Sequence, residues 1–188
     1  MLGRIMKKYW ILIVLFFAGL IVSGIQFRFT DLTYYLILVH CYILFIDKHY
    51  TYAEVPFFDW IKELFHQSRN NYDKVGHFAQ GFVPALIVRE MFIRLEIVKR
   101  GNWISFLTIC VCISISVIYE LFEWLVTVAS GQSSEAFLGT QGDVWDTQSD
   151  MLFALIGALC MILFLSGIQN KAIDKIIRLS AKYPNASK

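Results

Sequence analysis

Apolar residues fall into long runs along this chain, and polar residues gather between them. A hydrocarbon core about 30 Å thick needs about 20 mostly apolar residues per helix. Five stretches meet or approach that rule, at about 9–25, 32–46, 75–93, 103–129 and 151–168. The second is short, and the third contains Pro84, which a membrane helix tolerates when its neighbours satisfy the freed carbonyl. The pattern predicts an all-α fold: a polytopic membrane helix bundle of about five spans, with residues 1–188 as a single integral membrane domain. Lys7 and Lys8 before the first run, and Ser23 and Gly24 at its end, also suit a cleaved signal peptide. The lack of an A-x-A-like cleavage site and the apolar character continuing through Phe27 favour a retained span.

The 27 residues from Asp47 to Asp73 are too many for a structureless connection in a compact domain. Within them Phe57, Trp60, Ile61, Leu64 and Phe65 recur at helical spacing, with Asp59, Lys62, Glu63 and His66 on the other face and Pro56 in the first turn. A helix over about 56–66 is expected, either lying in the membrane interface or packed on the end of the bundle. Near the C-terminus, Ile173, Ile176, Ile177 and Leu179 are interleaved with Lys171, Lys175, Arg178 and Lys182. A basic tail of this kind marks the cytoplasmic side and an anionic leaflet.

Composition supports the membrane reading. Hydrophobic residues make up 57% and charged residues 17% of the chain, against about 45–50% and about 25% in soluble domains. Mean hydropathy is +0.55. Cys41, Cys110, Cys112 and Cys160 all lie in apolar runs, without zinc-ribbon spacing or a disulfide framework, and read as packing residues. A net charge of +2 gives no footprint for nucleic acid.

The distribution of charge says more than its sum. Five crossings would place seven Lys and Arg with eleven Asp and Glu on one side, and ten Lys and Arg with four acids on the other. The positive-inside rule makes the second side, with the C-terminus, cytoplasmic. The connection 130–149 has no Lys or Arg, as exported loops often do not, although Lys7 and Lys8 pull the other way.

Hairpin topology collects the candidate chemistry on the acidic side. Asp73, His77 and Gln80 share one face at the start of the third segment. Glu120 and Glu123 lie near the far end of the fourth, in an apolar setting where acids are functional by default. Asp143, Asp146 and Asp150 precede or open the fifth, while His49 and Glu54 follow the second. Asp143 and Asp146 also suit turn and N-cap roles, beside Gly139, Thr140 and Gly142. Glu90 and Arg94, at i and i+4 near the opposite end, read as an ordinary helix pair, and His40 as a packing residue. Carboxylates short of protein cations must be protonated, hydrated or neutralised by a bound cation. Oxygen ligands with an imidazole suit a divalent metal such as Mg²⁺, Mn²⁺ or Zn²⁺, and a metal at an interface activates water.

The stretches carrying these residues, His49-Tyr-Thr-Tyr-Ala-Glu-Val-Pro56, Tyr72-Asp-Lys-Val-Gly-His-Phe-Ala-Gln-Gly-Phe-Val-Pro84, Tyr119-Glu-Leu-Phe-Glu-Trp124 and Phe137-Leu-Gly-Thr-Gln-Gly-Asp-Val-Trp-Asp-Thr-Gln148, resemble the YjdF family of bacterial inner-membrane proteins. The resemblance spans roughly residues 28–157. Asp47 and Lys48 stand where that pattern carries two glycines. It implies a multi-pass protein of the bacterial cytoplasmic membrane, without a specific activity. A looser similarity links Asp73, Lys74, His77, Phe78, Glu120, Asp150 and Gly157 to VanZ-like membrane proteins, and implies an envelope-lipid setting; Glu123 and Ala154 depart from that pattern.

Three functions follow. In the leading one, Asp73, His77, Glu120, Glu123 and Asp150 form a membrane-embedded site for a divalent cation or an envelope amphiphile at the outer leaflet, which hydrolyses or transfers a polar group. His77 is ligand or general base, oriented by Asp73; His77, Glu120, Glu123 and Asp150 are the metal ligands; His49, Glu54, Gln80, Asp143 and Asp146 support them. In the second, the acids start a proton or cation pathway, although 109–117 offers only Cys and Ser for its continuation. The third is a non-catalytic interaction protein whose acidic side docks an envelope enzyme or stabilises a complex; under all three the lipid bilayer is a partner.

Overall fold

A computed structural model describes residues 27–50, 54–131 and 141–182. The apolar run at 9–25 lies outside them. The described chain is all helical: α1 (Asp31–Tyr50), α2 (Pro56–Leu64), α3 (Tyr72–Arg94), α4 (Asn102–Ser130), α5 (Asp146–Cys160), a π-helical turn (Met161–Leu165) and α6 (Ser166–Lys182). Each described helix overlaps a segment expected from hydropathy or amphipathicity.

The differences lie at the ends and have local causes. The fifth apolar run and the basic tail form one helical stretch, Asp146–Lys182, interrupted only by the π turn, since nothing between Cys160 and Lys171 is a helix breaker other than Gly167. Gln141 and Gly142 take positive φ before α5 begins at Asp146. Helix α3 continues through Pro84. Helix α4 ends on Gly131 in the left-handed conformation, the usual geometry of a helix C-terminus.

Among the described residues, two helices are long and apolar enough to cross a membrane, Asn102–Ser130 and Asp146–Lys182. Only 28% and 22% of their most apolar windows are buried, so they are not the enclosed core helices of a soluble fold. Phe106, Ile118, Leu121, Phe122, Leu125, Leu163 and Phe164 remain exposed on them.

Helix α3 is the hub. It packs most extensively on α5 and also on α4 and α1. The core between these helices is Ala85, Leu86, Cys112, Ala158 and Met161, bordered by Leu32, Leu36, Phe82 and Ile109. A smaller cluster, Ile93, Ile104 and Ile173, ties α3, α4 and α6 at the far end. The α3 and α5 backbones touch because glycine leaves room. A Cβ at Gly81 would collide with the Ala154 carbonyl, and one at Gly157 with the Phe78 carbonyl and the Phe82 amide. Small residues permit such an approach between membrane helices.

Helix α2 has no buried residue. Phe58 meets Tyr72 edge-on at 5.2 Å, and Asp59 accepts a 2.9 Å hydrogen bond from Asn70. Phe57, Trp60, Leu64 and Phe65 are left exposed. Of the two arrangements expected for this helix, only its Phe58–Asp59 side is docked; its apolar row faces away from the bundle.

Replacing Gly81 or Gly157 by Ala should force α3 and α5 apart and destabilise the fold by about 1–3 kcal/mol. Ala at Gly76 or Gly167, where a Cβ meets nothing within 4 Å, should not. Thermal unfolding of the four variants in one detergent checks this.

Candidate functional site

Three helices converge at the Asp73 end of α3. Asp73 and His77 come from the first turns of α3, Glu120 and Glu123 from α4, and Asp146, Thr147 and Asp150 from α5. These seven residues line one small cavity of about 20 Å³. That volume holds a single water or ion and no larger ligand. Glu120 lies 18 residues into α4, or about 27 Å along its axis, close to the thickness of a hydrocarbon core.

His77 sits between two carboxylates. Its Nδ1 is 3.7 Å from Glu120 Oε1 and its Nε2 is 3.6 Å from Asp150 Oδ2. Both separations exceed a normal hydrogen bond. His77 Nδ1 and Glu120 Oε1 are buried, and neither has a hydrogen-bond partner among the described residues. His77 and Glu120 are each only 8% exposed and Asp150 5%. Each of the three can offer one ligand atom, with all three atoms within 4.8 Å of one another. Tyr119 stands edge-on to the imidazole at 6.0 Å.

Beside this group is a charge lattice built on two cations, Arg69 and Lys74. Lys74 Nζ donates to Asp146 Oδ1 at 2.8 Å and to Asp150 Oδ1 at 2.7 Å. Arg69 donates to Asp146 Oδ1 at 2.7 Å, to Asp143 Oδ2 at 3.1 Å, and to Asp73 Oδ2. Asp73, expected to orient His77, therefore accepts from Arg69 and from the Lys74 amide. The acids facing the imidazole are Glu120 and Asp150. Asp73, Asp146 and Asp150 form a second tight group, but Arg69 and Lys74 already bind its oxygens.

Asn70, fully buried, joins this lattice to its surroundings. Its amide N–H donates to Gln141 Oε1 at 3.0 Å and its carbonyl accepts from Gln141 Nε2 at 3.0 Å, while its side chain donates to the Val55 carbonyl and to Asp59. The connection before α5 and the short helix α2 are thus fixed to the start of α3. The i, i+4 spacing of Arg69 and Asp73 was a readable signal. The roles of Asn70 and Gln141 had none.

The other expected residues divide. Asp146 opens α5 and binds both cations. Asp143 Oδ1 accepts from the Trp145 amide at 2.9 Å, which is turn chemistry, while its Oδ2 meets Arg69. Glu123 lines the cavity outside the tight three-residue group. Gln80, half-buried one turn beyond His77, is not in the lining. His49 and Glu54 are exposed; His49 packs on Phe45 and Tyr50 and Glu54 lies outside the lining. At the opposite end, Glu90 is fully buried and accepts from Thr30, Thr33 and Arg94, so it is an interhelical hub and not merely a helix pair.

Two groups of the lattice, Arg69 and Asp143, lie in the connections before α3 and α5. The Trp145 amide, and then Arg69 and Lys74, hold the Asp143 carboxyl below its ordinary 3.8. Burial disfavours the Arg69 cation, but its hydrogen bond with Asp146 and the charges of Asp73, Asp146 and Asp143 outweigh that and raise its pKa.

The comparisons with known proteins agree with a membrane setting. The family described as "Predicted membrane protein (DUF2238)" matches residues 3–171. A protein named inner membrane protein YjdF from Escherichia coli (strain K12) is 48% identical over 147 residues, covering 78% of this chain and 70% of the relative. No solved structure matches.

Because the folded pKa of Asp143 is depressed, its stabilising contribution is complete above the unfolded value and is lost as pH falls through the lower folded value. Acidification below 3.8 should therefore loosen its hold on Arg69. Asp143→Asn should flatten that part of the pH response. Unfolding temperatures of both proteins between about pH 5 and about pH 3 check it.

Proposed function

Because the chain belongs to the DUF2238 family of membrane proteins, we propose that it is a multi-pass protein of the bacterial inner membrane whose buried pocket binds a divalent cation through His77, Glu120 and Asp150, with Glu123 alongside. The observation that carries the reading is the buried, three-helix group with ligand atoms within 4.8 Å, two of whose polar atoms have no hydrogen-bond partner among the described residues. The cavity of about 20 Å³ favours an ion over an amphiphile headgroup as its direct occupant.

Charge favours it too. Six carboxylates, Asp73, Glu120, Glu123, Asp143, Asp146 and Asp150, share two buried cations, Arg69 and Lys74. Excess negative charge out of water is costly, and a divalent cation relieves it. His77 would give one nitrogen to the ion and turn the other toward a carboxylate, which fixes its tautomer. A bound ion would supply Lewis acidity for hydrolysis or transfer of a polar group on an envelope amphiphile. The exposed aromatic row of α2 would lie in the interface and let such a molecule approach.

The proposed topology has five crossings: the run at 9–25, α1, α3, α4 and the helix from Asp146. The excess of Lys and Arg on the other side supports a cytoplasmic C-terminus and an outward-facing pocket.

A second reading, cation or proton passage, gains from one feature. Glu120, Ser116, Cys112 and Thr108 form a buried row at intervals of four on α4, and the hydroxyls of Ser116 and Thr108 have no hydrogen-bond partner among the described residues. Passage would require uptake of the cation into proteoliposomes that Glu120→Gln abolishes.

Protein purified without chelator should contain a divalent metal at about one per chain by elemental analysis. His77→Ala, Glu120→Ala and Asp150→Ala should each weaken binding by about tenfold or more. Stoichiometric metal retained in all three variants overturns the cation site.

A further inference from the structure

At the opposite end of α3 a second buried charge has no counterpart among the described residues. Arg89 lies 12 residues beyond His77, or about 18 Å along the helix, and is 7% exposed. Its guanidinium donates to Gln169 Oε1 at 2.7 Å and to Asn170 Oδ1 at 2.8 Å. Both acceptors are neutral amides. Gln169 is fully buried and fixed in turn by its 2.7 Å hydrogen bond to the Leu86 carbonyl. Arg89 Nε is buried with no hydrogen-bond partner among the described residues.

No carboxylate neutralises this cation among the described residues. Glu90 is taken up by Thr30, Thr33 and Arg94, and Asp174 by Arg100 at 2.6 Å. The undescribed stretches contain one acid, Glu135. Arg100, another cation, adds positive charge to the surroundings of Arg89. On α6 Arg89 bonds Asn170 and Arg100 bonds Asp174; Asp174, with Lys171, Lys175, Arg178 and Leu179, lines an open cleft of about 410 Å³ that neither arginine itself lines.

Amides satisfy the hydrogen bonds of a guanidinium but not its charge, and a buried cation is expensive until an anion joins it. Guanidinium groups pair with phosphate through parallel hydrogen bonds, and lysines at a cleft mouth add point charge. We propose that Arg89 and Arg100, with Lys171, Lys175 and Arg178 at the mouth, form a binding site for a phosphate group, presented as the headgroup of an anionic phospholipid or as free phosphate. This site is independent of the metal pocket and differs from diffuse attraction of a basic tail to a leaflet, because it requires a specific buried arginine and a stoichiometric ligand.

Native mass spectrometry of the full chain in an uncharged detergent tests it. The probes are phosphatidylglycerol, phosphatidylcholine with the same acyl chains, and inorganic phosphate. The wild type should retain one phosphatidylglycerol or one phosphate in preference to phosphatidylcholine; retention of the lipid assigns a headgroup, and retention of phosphate alone assigns a soluble ligand. Arg89→Gln should weaken binding by about tenfold or more, Arg89→Lys should recover part of it, and Lys62→Gln on α2 should leave it unchanged. Arg100→Gln, at a half-exposed position, should also weaken binding and serves if Arg89→Gln does not fold. Equal retention of phosphatidylcholine, no retention of either anion, or undiminished binding in folded Arg89→Gln and Arg100→Gln proteins overturns the proposal.

Discussion

The backbone contact between α3 and α5 sets the geometry of the acidic end. Gly81 lies against Ala154, and Gly157 against Phe78 and Phe82. One turn before Gly81 is His77, and one turn before Ala154 is Asp150. Helix side chains four apart share a face, so a contact that brings the two backbones together also brings the imidazole and the carboxylate together. Larger residues at the crossing would separate the helices and enlarge a cavity that now holds one ion or one water. The smallest residues in the bundle thus govern the spacing of its most reactive ones.

Electrostatics imposes the complementary constraint. Acids gathered near the boundary of an apolar bundle would repel one another and lose hydration. Arg69 and Lys74 hold Asp73, Asp143, Asp146 and much of Asp150, and Asn70 with Gln141 fastens the surrounding segments. What stays outside this lattice is the part with chemical potential: His77 Nδ1, Glu120 Oε1 and the second oxygen of Asp150. The lattice therefore does two things. It stabilises the end of the bundle and leaves a defined remainder of negative charge facing the histidine.

The two ends of α3 solve opposite problems. At one end carboxylates outnumber cations; at the other Arg89 meets the amides of Gln169 and Asn170 and no carboxylate among the described residues. An imbalance of either sign costs least when a ligand of opposite charge completes it. A cation at the first end and a phosphate at the second would each remove a burial penalty that the described side chains leave in place, and the two ends are far enough apart for each to be occupied alone.

The linear pattern by itself determined the membrane class, the place of each described helix apart from the run of the fifth into the basic tail, the family resemblance and the end of the bundle where the carboxylates and His77 gather. These depend on periodicity, run length and charge order, which are local or additive along the chain. Only tertiary structure decided which carboxylates face His77. Asp73 shares its helix face, yet Arg69 claims it, while Glu120 and Asp150, distant in sequence, flank the ring. Tertiary structure also separated Glu123 from the tight ligand group, left His49 exposed, turned Glu90 from a helix pair into a buried hub and left Arg89 without a countercharge among the described residues. The physical reason is the same in each case: pairing between charges on different helices depends on angstrom-scale separations set by how closely the backbones pack, and sequence spacing fixes separations only within one helix.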